Sequence, residues 1–208
     1  DTPITVEDNK LTINGQEIIA TPTASDAQYT YAFGNWTIDN VEVTTDSKIQ
    51  TDLTIIANFT RDTNEYRVTI ETDGTGYGIV NTSSVTVEYG TAITVQDNVL
   101  IIGDTTVTAT PATNTAQYTY AFNSWSIGNT TVTGDLTITA NFTRDTNEYR
   151  VTIQSNNTSY GTVNTSSVTV EYGTAITVQD NVLIIGDTTV TATPKTDTAQ
   201  YDYSFLNW

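Results

Sequence analysis

The chain is built from a long internal repeat. Residues 80–111 recur letter for letter at residues 163–194, 83 residues further on, and residues 58–70 recur at 141–153 with the same offset. A fixed period of this length indicates a tandem array in which each unit is one small domain. Arrays of near-identical modules usually supply length, spacing or a polymer surface, whereas catalysis needs a unique constellation of residues. The repeat therefore constrains what kind of object this is more than what it touches.

Three tryptophans fix the phase of the repeat. Trp36, Trp125 and Trp208 each lie 14 residues after a proline, so they occupy one equivalent position. Asp1 then corresponds to Gly90, which means that the first unit begins after the point where the opening strands would stand.

The phase predicts three domains. Residues 66–148 form one complete module, residues 1–65 form a module without its opening strands, and residues 149–208 form a module without its last strand. We expect either a window from a longer array or modules that neighbouring chains complete. The one stretch outside the repeat, residues 39–52, is the best candidate for a unique contact.

Apolar and polar residues alternate through the complete unit with a period of two. This pattern is typical of strands with one buried and one solvated face, and no stretch has a helical period. The apolar positions of the clearest runs are Tyr66, Val68 and Ile70; Val85, Val87 and Tyr89; and Leu136, Ile138, Ala140 and Phe142. The sequence therefore predicts an all-β fold, β-grasp-like, with little or no helix.

Four local features carry finer expectations. The continuous apolar run Val99–Ile102 predicts a strand covered on both faces. The apolar parity changes at Asn123–Ser124, which predicts a β-bulge. Residues 96–98 are the only place for a short helical turn. The polar stretch 144–148 (with its copy 61–65) predicts a semi-stiff linker between modules.

The order of motifs resembles a known family. Tyr66–Arg–Val–Thr–Ile is followed by Val87–Glu–Tyr–Gly, then by Tyr120–Ala–Phe–Asn–Ser–Trp and by Val132–Thr–Gly–Asp–Leu–Thr–Ile–Thr–Ala–Asn–Phe. This resembles the Listeria–Bacteroides repeat, the B-repeat of internalin-type surface proteins, and most nearly its divergent branch. The resemblance implies a β-grasp-like module in secreted or wall-attached proteins. The chain departs from the family where a helix-like crossover is usual, because residues 98–111 have the pattern of strands.

Composition excludes most chemistry. The chain has no His and no Cys, which excludes Ser–His–Asp triads, His-ligated metals and thiolate nucleophiles. Gly103–Asp104 and Gly134–Asp135 are expected to form turns rather than to bind calcium. We therefore expect no enzyme, no catalytic residue, no cofactor and no metal site.

The tryptophans leave two interpretations. Trp36, Trp125 and Trp208 could be platforms on which sugar rings stack, but each follows a Tyr-x-Phe strand. The favoured interpretation is that each closes the core of its module.

The charge balance excludes further partners. Twenty-four carboxylates against seven basic residues give a net charge of −17. Such a chain repels nucleic acid and anionic membrane surfaces, because both require Lys and Arg for binding. The excess is typical of a soluble surface protein.

Asn-x-Ser/Thr sequons are frequent. They make eight asparagines candidates for N-glycosylation: Asn35, Asn58, Asn81, Asn129, Asn141, Asn156, Asn157 and Asn164. Asn58 and Asn141 share the parity of outward-facing threonines, so they are expected to be accessible to a glycan.

The leading hypothesis is a non-catalytic structural array, extracellular or at the cell surface, that forms a stalk, filament or sheath. Its expected partners are copies of itself or adjacent repeats, and surface glycans are possible further partners. The alternative is a carbohydrate- or protein-binding adhesin module. Within the leading hypothesis, a covalent stalk competes with a polymer in which strands are lent between chains.

Overall fold

The computed structural model describes residues 2–208, and across them the fold is all-β, as the alternating pattern predicts. The stretch up to residue 63 forms β1 Thr2–Glu7, β2 Lys10–Ile13, β3 Gln16–Ile19, β4 Tyr29–Ile38, β5 Val41–Glu42, β6 Lys48–Ile49 and β7 Ile56–Thr63. The central stretch forms β8 Glu65–Thr72, β9 Gly78–Val80, β10 Ser84–Glu88, β11 Ile93–Gln96, β12 Val99–Ile102, β13 Thr105–Pro111, β14 Tyr118–Ser126 and β15 Leu136–Thr146. The last stretch forms β16 Glu148–Thr152, β17 Gly161–Val163, β18 Ser167–Glu171, β19 Ile176–Gln179, β20 Val182–Ile185 and β21 Thr188–Pro194.

The complete repeat contains two four-stranded sheets. One has the order β10-β8-β15-β14 and the other the order β11-β12-β13-β9. In the first sheet the opening strand β8 and the closing strand β15 lie side by side and run parallel, with Leu136 opposite Val68 and Ala140 opposite Thr72. The first and last strands of the repeat therefore share the middle of one sheet.

The core of the complete repeat follows the predicted alternation. The buried apolar side chains of this region are Val68, Ile70, Ile93, Leu100, Ile102, Val107, Ala109, Trp125, Val132, Ile138, Ala140 and Phe142. They come from strands of both sheets, as expected when each sheet has one apolar face that must be covered.

The first repeat keeps the same plan without opening strands. Its sheets have the orders β3-β2-β1-β6 and β5-β4-β7. Ile4, Leu11, Ala20, Trp36 and Val43 form its buried cluster. β7 is at the edge of its sheet, where its counterpart β15 is internal.

The last repeat keeps the plan without a closing strand. A two-stranded sheet, β16-β18, stands beside the four-stranded sheet β17-β21-β20-β19. Ile153, Leu183, Ile185 and Val190 form its buried cluster.

Local expectations have mixed outcomes. The predicted helical turn at residues 96–98 is wrong, because Gln96 pairs with Val99 across a two-residue hairpin turn in which Asp97 has φ 51°. The run Val99–Ile102 is covered on one face only: Leu100 and Ile102 are buried, while the other two side chains are half-buried.

The expected β-bulge is found at the equivalent place in the first repeat. The pairing of β4 with β7 shifts register between Phe33 and Asn35, the counterparts of Phe122 and Ser124. In β14 itself, Asn123 and Ser124 are both exposed and Trp125 is buried, which is the change of parity that a bulge produces.

The described chain groups into two compact units. One comprises the segments up to Asp73, Val80–Ala109 and Ser124–Asn141, and the other comprises Gly74–Ile79, Thr110–Asn123 and Phe142–Trp208. Each unit contains one junction between successive repeats, at residue 64 and at residue 147. The division at 1–65, 66–148 and 149–208 stays a prediction from the sequence period.

Candidate functional site: the joints between repeats

The junction between repeats is a single residue. The sequence predicts a five-residue linker at 61–65 and at 144–148, but β7 and β8 leave only Asn64 between them, and β15 and β16 leave only Asn147. The linker prediction is therefore wrong. Strand structure continues through each junction, and one asparagine joins the repeats.

Asn147 binds the preceding repeat with its whole side chain. Its Nδ2 donates to the carbonyl oxygens of Thr115 at 2.8 Å and Ala116 at 3.1 Å. Its Oδ1 accepts a hydrogen bond from the hydroxyl of Thr119 at 2.6 Å. An asparagine amide carries both donors and an acceptor, so this one side chain holds a loop and a strand of the same neighbour.

The backbone of Asn147 connects the two repeats. Its N–H donates to the carbonyl of Gln117 in the preceding repeat at 2.8 Å, and its carbonyl accepts from the N–H of Tyr172 in the following repeat at 2.8 Å. Tyr149, two residues on, donates its hydroxyl to the carbonyl of Ala116 at 2.6 Å. The joint is therefore made of directed hydrogen bonds on both sides.

The first joint repeats this geometry. Asn64 Nδ2 donates to Asp26 O at 2.8 Å and Ala27 O at 3.1 Å, and Thr30 Oγ1 donates to Asn64 Oδ1 at 2.6 Å. The same backbone bonds run from Asn64 N–H to Gln28 O at 2.9 Å and from Tyr89 N–H to Asn64 O at 2.8 Å. The corresponding tyrosine bond, from the Tyr66 hydroxyl to Ala27 O, is 2.6 Å.

The loop that receives the asparagine is pre-shaped by its own turn bonds. Tyr118 N–H donates to Thr115 Oγ1 at 2.9 Å, and Tyr120 N–H donates to Asn114 Oδ1 at 2.8 Å. In the first repeat Asp26 Oδ1 accepts from the backbone of Tyr29 at 2.7 Å. Side chains that bond nearby backbone groups in this way fix a turn locally. The acceptor carbonyls are thus oriented before the next repeat docks.

Tyrosines near the joints already have cations on their faces. The guanidinium of Arg144 lies 4.1 Å from the ring centre of Tyr118 and 4.8 Å from that of Tyr77. Arg61 lies 4.4 Å from the ring centre of Tyr29. This cation–π contact uses the ring faces that a stacking sugar would need.

The tryptophans are core residues, as favoured. Trp36 and Trp125 are 5% and 9% exposed, and Trp208 is half-buried against the cluster of the last repeat. These three rings are therefore not open sugar platforms.

The candidate glycosylation sites fall into two groups. Asn81, Asn129, Asn156 and Asn164 are exposed, whereas Asn35, Asn58, Asn141 and Asn157 are half-buried. Whether any of the eight carries a glycan stays a prediction.

The expectation that Asn58 and Asn141 are accessible is wrong at the atom that matters. Asn58 Nδ2 donates to Asn35 Oδ1 and Thr37 Oγ1, each at 3.0 Å. Asn141 Nδ2 donates to Ser126 Oγ at 2.8 Å. The glycan-accepting nitrogens are held by the sheet, because these side chains bridge neighbouring strands across the bulge.

The unique stretch 39–52 is part of the sheets. Asp39 and Asn40 have φ 48° and 67°, and β5 pairs back onto the end of β4. β6 then pairs with β1, and Val43 between them is buried. The stretch extends both sheets of the first repeat, and its use as a contact site stays a prediction.

Metal and membrane features are few. Within residues 2–208 no three acidic side chains come close enough to hold a metal ion, and no helix is long and apolar enough to cross a membrane. Asp135 Oδ1 accepts the backbone N–H of Arg67 at 2.8 Å, and the Gly103–Asp104 pair forms the turn between β12 and β13.

Comparison with known protein families, with curated proteins and with solved structures finds no match to this chain. The resemblance to the Listeria–Bacteroides repeat therefore stays a prediction.

Proposed function

We propose that this chain is a non-catalytic structural segment of an extracellular or cell-surface protein, in which β-modules joined at fixed angles form a stalk, filament or sheath. One observation carries the proposal. Two successive junctions use the same asparagine, the same acceptor positions and nearly the same distances. A joint that is built identically each time sets a constant angle between neighbours.

The alternative to a fixed joint is a flexible tether, and the joint has none of its features. Flexible linkers are several residues long and rich in Gly and Ser. Here one residue separates the strands of successive repeats. Domains in one chain move relative to each other by default unless their interface holds them, and here directed bonds on both sides of the asparagine do so.

The order β10-β8-β15-β14, with a parallel pair in the middle, supports a β-grasp-like module in which a second sheet takes the place of the helix. The net charge of −17 supports a location where solubility and self-repulsion matter, such as a surface array. The lack of Cys allows engineered labels at chosen positions.

The test is the spread of distances across a joint. Spin labels on Thr23→Cys and Thr86→Cys place one probe on each side of Asn64, both at exposed positions. Double electron–electron resonance should give a narrow distance distribution. Adding Asn64→Ala should broaden it, because the side-chain bonds to Asp26, Ala27 and Thr30 are lost.

The matched control is Asn129→Ala, an exposed asparagine outside both joints, which should leave the distribution unchanged. A broad distribution in the parent chain would contradict the proposal, because the repeats would then move freely about residue 64.

A further inference from the structure

We infer that the first repeat accepts an opening segment, residues 148–172, from a second copy of this chain, so that copies associate head to tail by strand exchange. The inference goes beyond the proposed function, because it concerns contacts between chains rather than within one. It rests on comparison of equivalent strands in one molecule.

The acceptor is an apolar groove in the first repeat. A depression of about 580 Å³ is lined by residues that include Leu11, Ile13, Trp36, Leu53 and Ile55. Their counterparts in the complete repeat are all buried or half-buried, because β8 is present there and inserts Val68 and Ile70 at 0% and 2% exposure. The complete repeat therefore shows which segment covers this groove.

The edge beside the groove also lacks its partner within residues 2–208. Leu136–Ala140 pairs in parallel with β8, whereas the equivalent residues 53–57 have no strand on that side. Phe142 is 5% exposed beneath Gly78, and its counterpart Phe59 is 50% exposed. An edge with open backbone groups and apolar side chains is a template for an added strand.

The donor is the opening strand of the last repeat. β16 pairs only with β18 among the described residues, so its other edge, which in β8 faces the closing strand, is open. Tyr149, Val151 and Ile153 repeat the pattern of Tyr66, Val68 and Ile70. This segment has the side chains that the groove is shaped to receive.

Exchange leaves most contacts unchanged in number. In its own repeat the donor packs on Leu183 and Ile185, and in the acceptor it would pack on the counterparts Leu11 and Ile13. Those contacts are broken once and made once. The parallel pairing with residues 53–57 and the cover over Phe59 are new, so exchange gains the interactions between opening and closing strands. These gains offset the entropy of association.

An engineered disulfide tests the predicted register. Thr69 lies opposite Thr137 in the parallel pair, and their counterparts are Thr152 and Thr54. Neighbouring strands hold such residues within disulfide range. Because the chain has no Cys, Thr54→Cys with Thr152→Cys should form covalent dimers and larger oligomers under mild oxidation.

Two controls bracket the result. Thr69→Cys with Thr137→Cys should close within one chain and stay monomeric, which shows that the geometry permits the bond. Thr54→Cys with Ser167→Cys should not crosslink, because Ser167 lies one strand further from the edge. A peptide of residues 65–89 should compete and lower the yield of oligomer several-fold, and a scrambled peptide should not.

Three outcomes would overturn the inference. They are a monomer in sedimentation at tens of micromolar with no crosslink while the control pair at positions 69 and 137 closes, a disulfide between positions 54 and 152 within one chain, and equal crosslinking by the Ser167→Cys control. None of them would change the distance distribution across Asn64, so failure of the exchange is distinguishable from failure of the fixed joint.

Discussion

At the residue scale, asparagine is the side chain that the joint requires. It offers two N–H donors and one acceptor on a short stem, and Asn147 uses both kinds against three neighbours. Asp would place a carboxylate oxygen against two carbonyl oxygens, and Ala would leave both carbonyls without this donor. The same reasoning applies to Asn64.

Asn147→Asp is expected to loosen its joint by about 1–2 kcal/mol, because each hydrogen bond contributes about 1 kcal/mol net and the new contact is repulsive. The change preserves shape and the acceptor for Thr119. Hydrogen exchange of the residue 147 amide, which donates to Gln117 O, should then be roughly 5- to 30-fold faster. Unchanged exchange would show that the side chain does not hold the joint.

Gly78 is required by a close approach. A Cβ built there would lie 2.2 Å from the ring of Phe142, which is itself buried. Gly78→Ala should destabilise the complete repeat by about 1–3 kcal/mol, since the ring must move within a packed core. Gly128→Ala is the control, because nothing lies within 4 Å of its Cβ position, and it should change the free energy of unfolding by less than about 0.5 kcal/mol. Equal effects in a denaturant titration would contradict the close contact.

The sequence could have pointed to the joint asparagines, and the linker interpretation hid them. Asn64 and Asn147 recur at the repeat offset within an otherwise polar stretch, which looks like a solvated linker. Their partners are backbone carbonyls of a loop more than 30 residues earlier. Such acceptors have no side-chain signature, so the pattern could not identify them.

At the element scale, the same closing sequence adopts different structure in two contexts. Leu136–Ile138 belongs to β15, whereas the equivalent residues 53–55 are not in a strand. The difference follows from β8, which pairs with the first stretch and has no counterpart before the second. Strand formation at this position depends on a partner rather than on local propensity.

Hydrogen exchange should separate these equivalent segments. Amides of residues 53–55 should exchange faster than those of residues 136–138. Residues 174–178 should likewise exchange faster than 91–95, because Ile93 is 2% exposed and bonds to Thr130, while Ile176 is 56% exposed. Similar protection in each pair, measured on a freshly diluted monomer, would mean that context does not decide strand formation here.

Alternation predicted the elements well because its cause is local. Ile70 and Ile138 are buried where the period of two places them. The predicted helical turn at 96–98 failed because Asp97 takes a positive φ and closes a hairpin in two residues. Asp and Asn tolerate that conformation, and the apolar pattern carries no signal for it.

At the scale of the whole molecule, each repeat carries one tryptophan near its core. Chains that retain Trp36, Trp125 or Trp208 singly, with Phe at the other two positions, report unfolding of one repeat at a time. The Trp125 signal should change at the highest denaturant concentration, because only that repeat has both opening and closing strands. Coincident transitions for all three would indicate one cooperative unit instead.

The period predicted an all-β array, while the assembly of the joints came only from the structure. Identical letters at a fixed offset show that Trp36 and Trp125 are equivalent. They do not show that strand structure runs from β15 into β16 with one residue between. That continuity depends on which loop the next repeat touches, and this contact is non-local.

The parallel pairing of β8 with β15 has a mechanical consequence. Tension that pulls the two ends of the complete repeat apart acts on its first and last strands, which lie side by side from Val68 opposite Leu136 to Thr72 opposite Ala140. Strands pulled in opposite directions along their length load their ladder of hydrogen bonds in shear, so the bonds must break together rather than one after another. Forced unfolding is governed by the height of that barrier. The repeat is therefore arranged to bear load along the chain, and the rupture force should far exceed what its modest free energy of unfolding suggests.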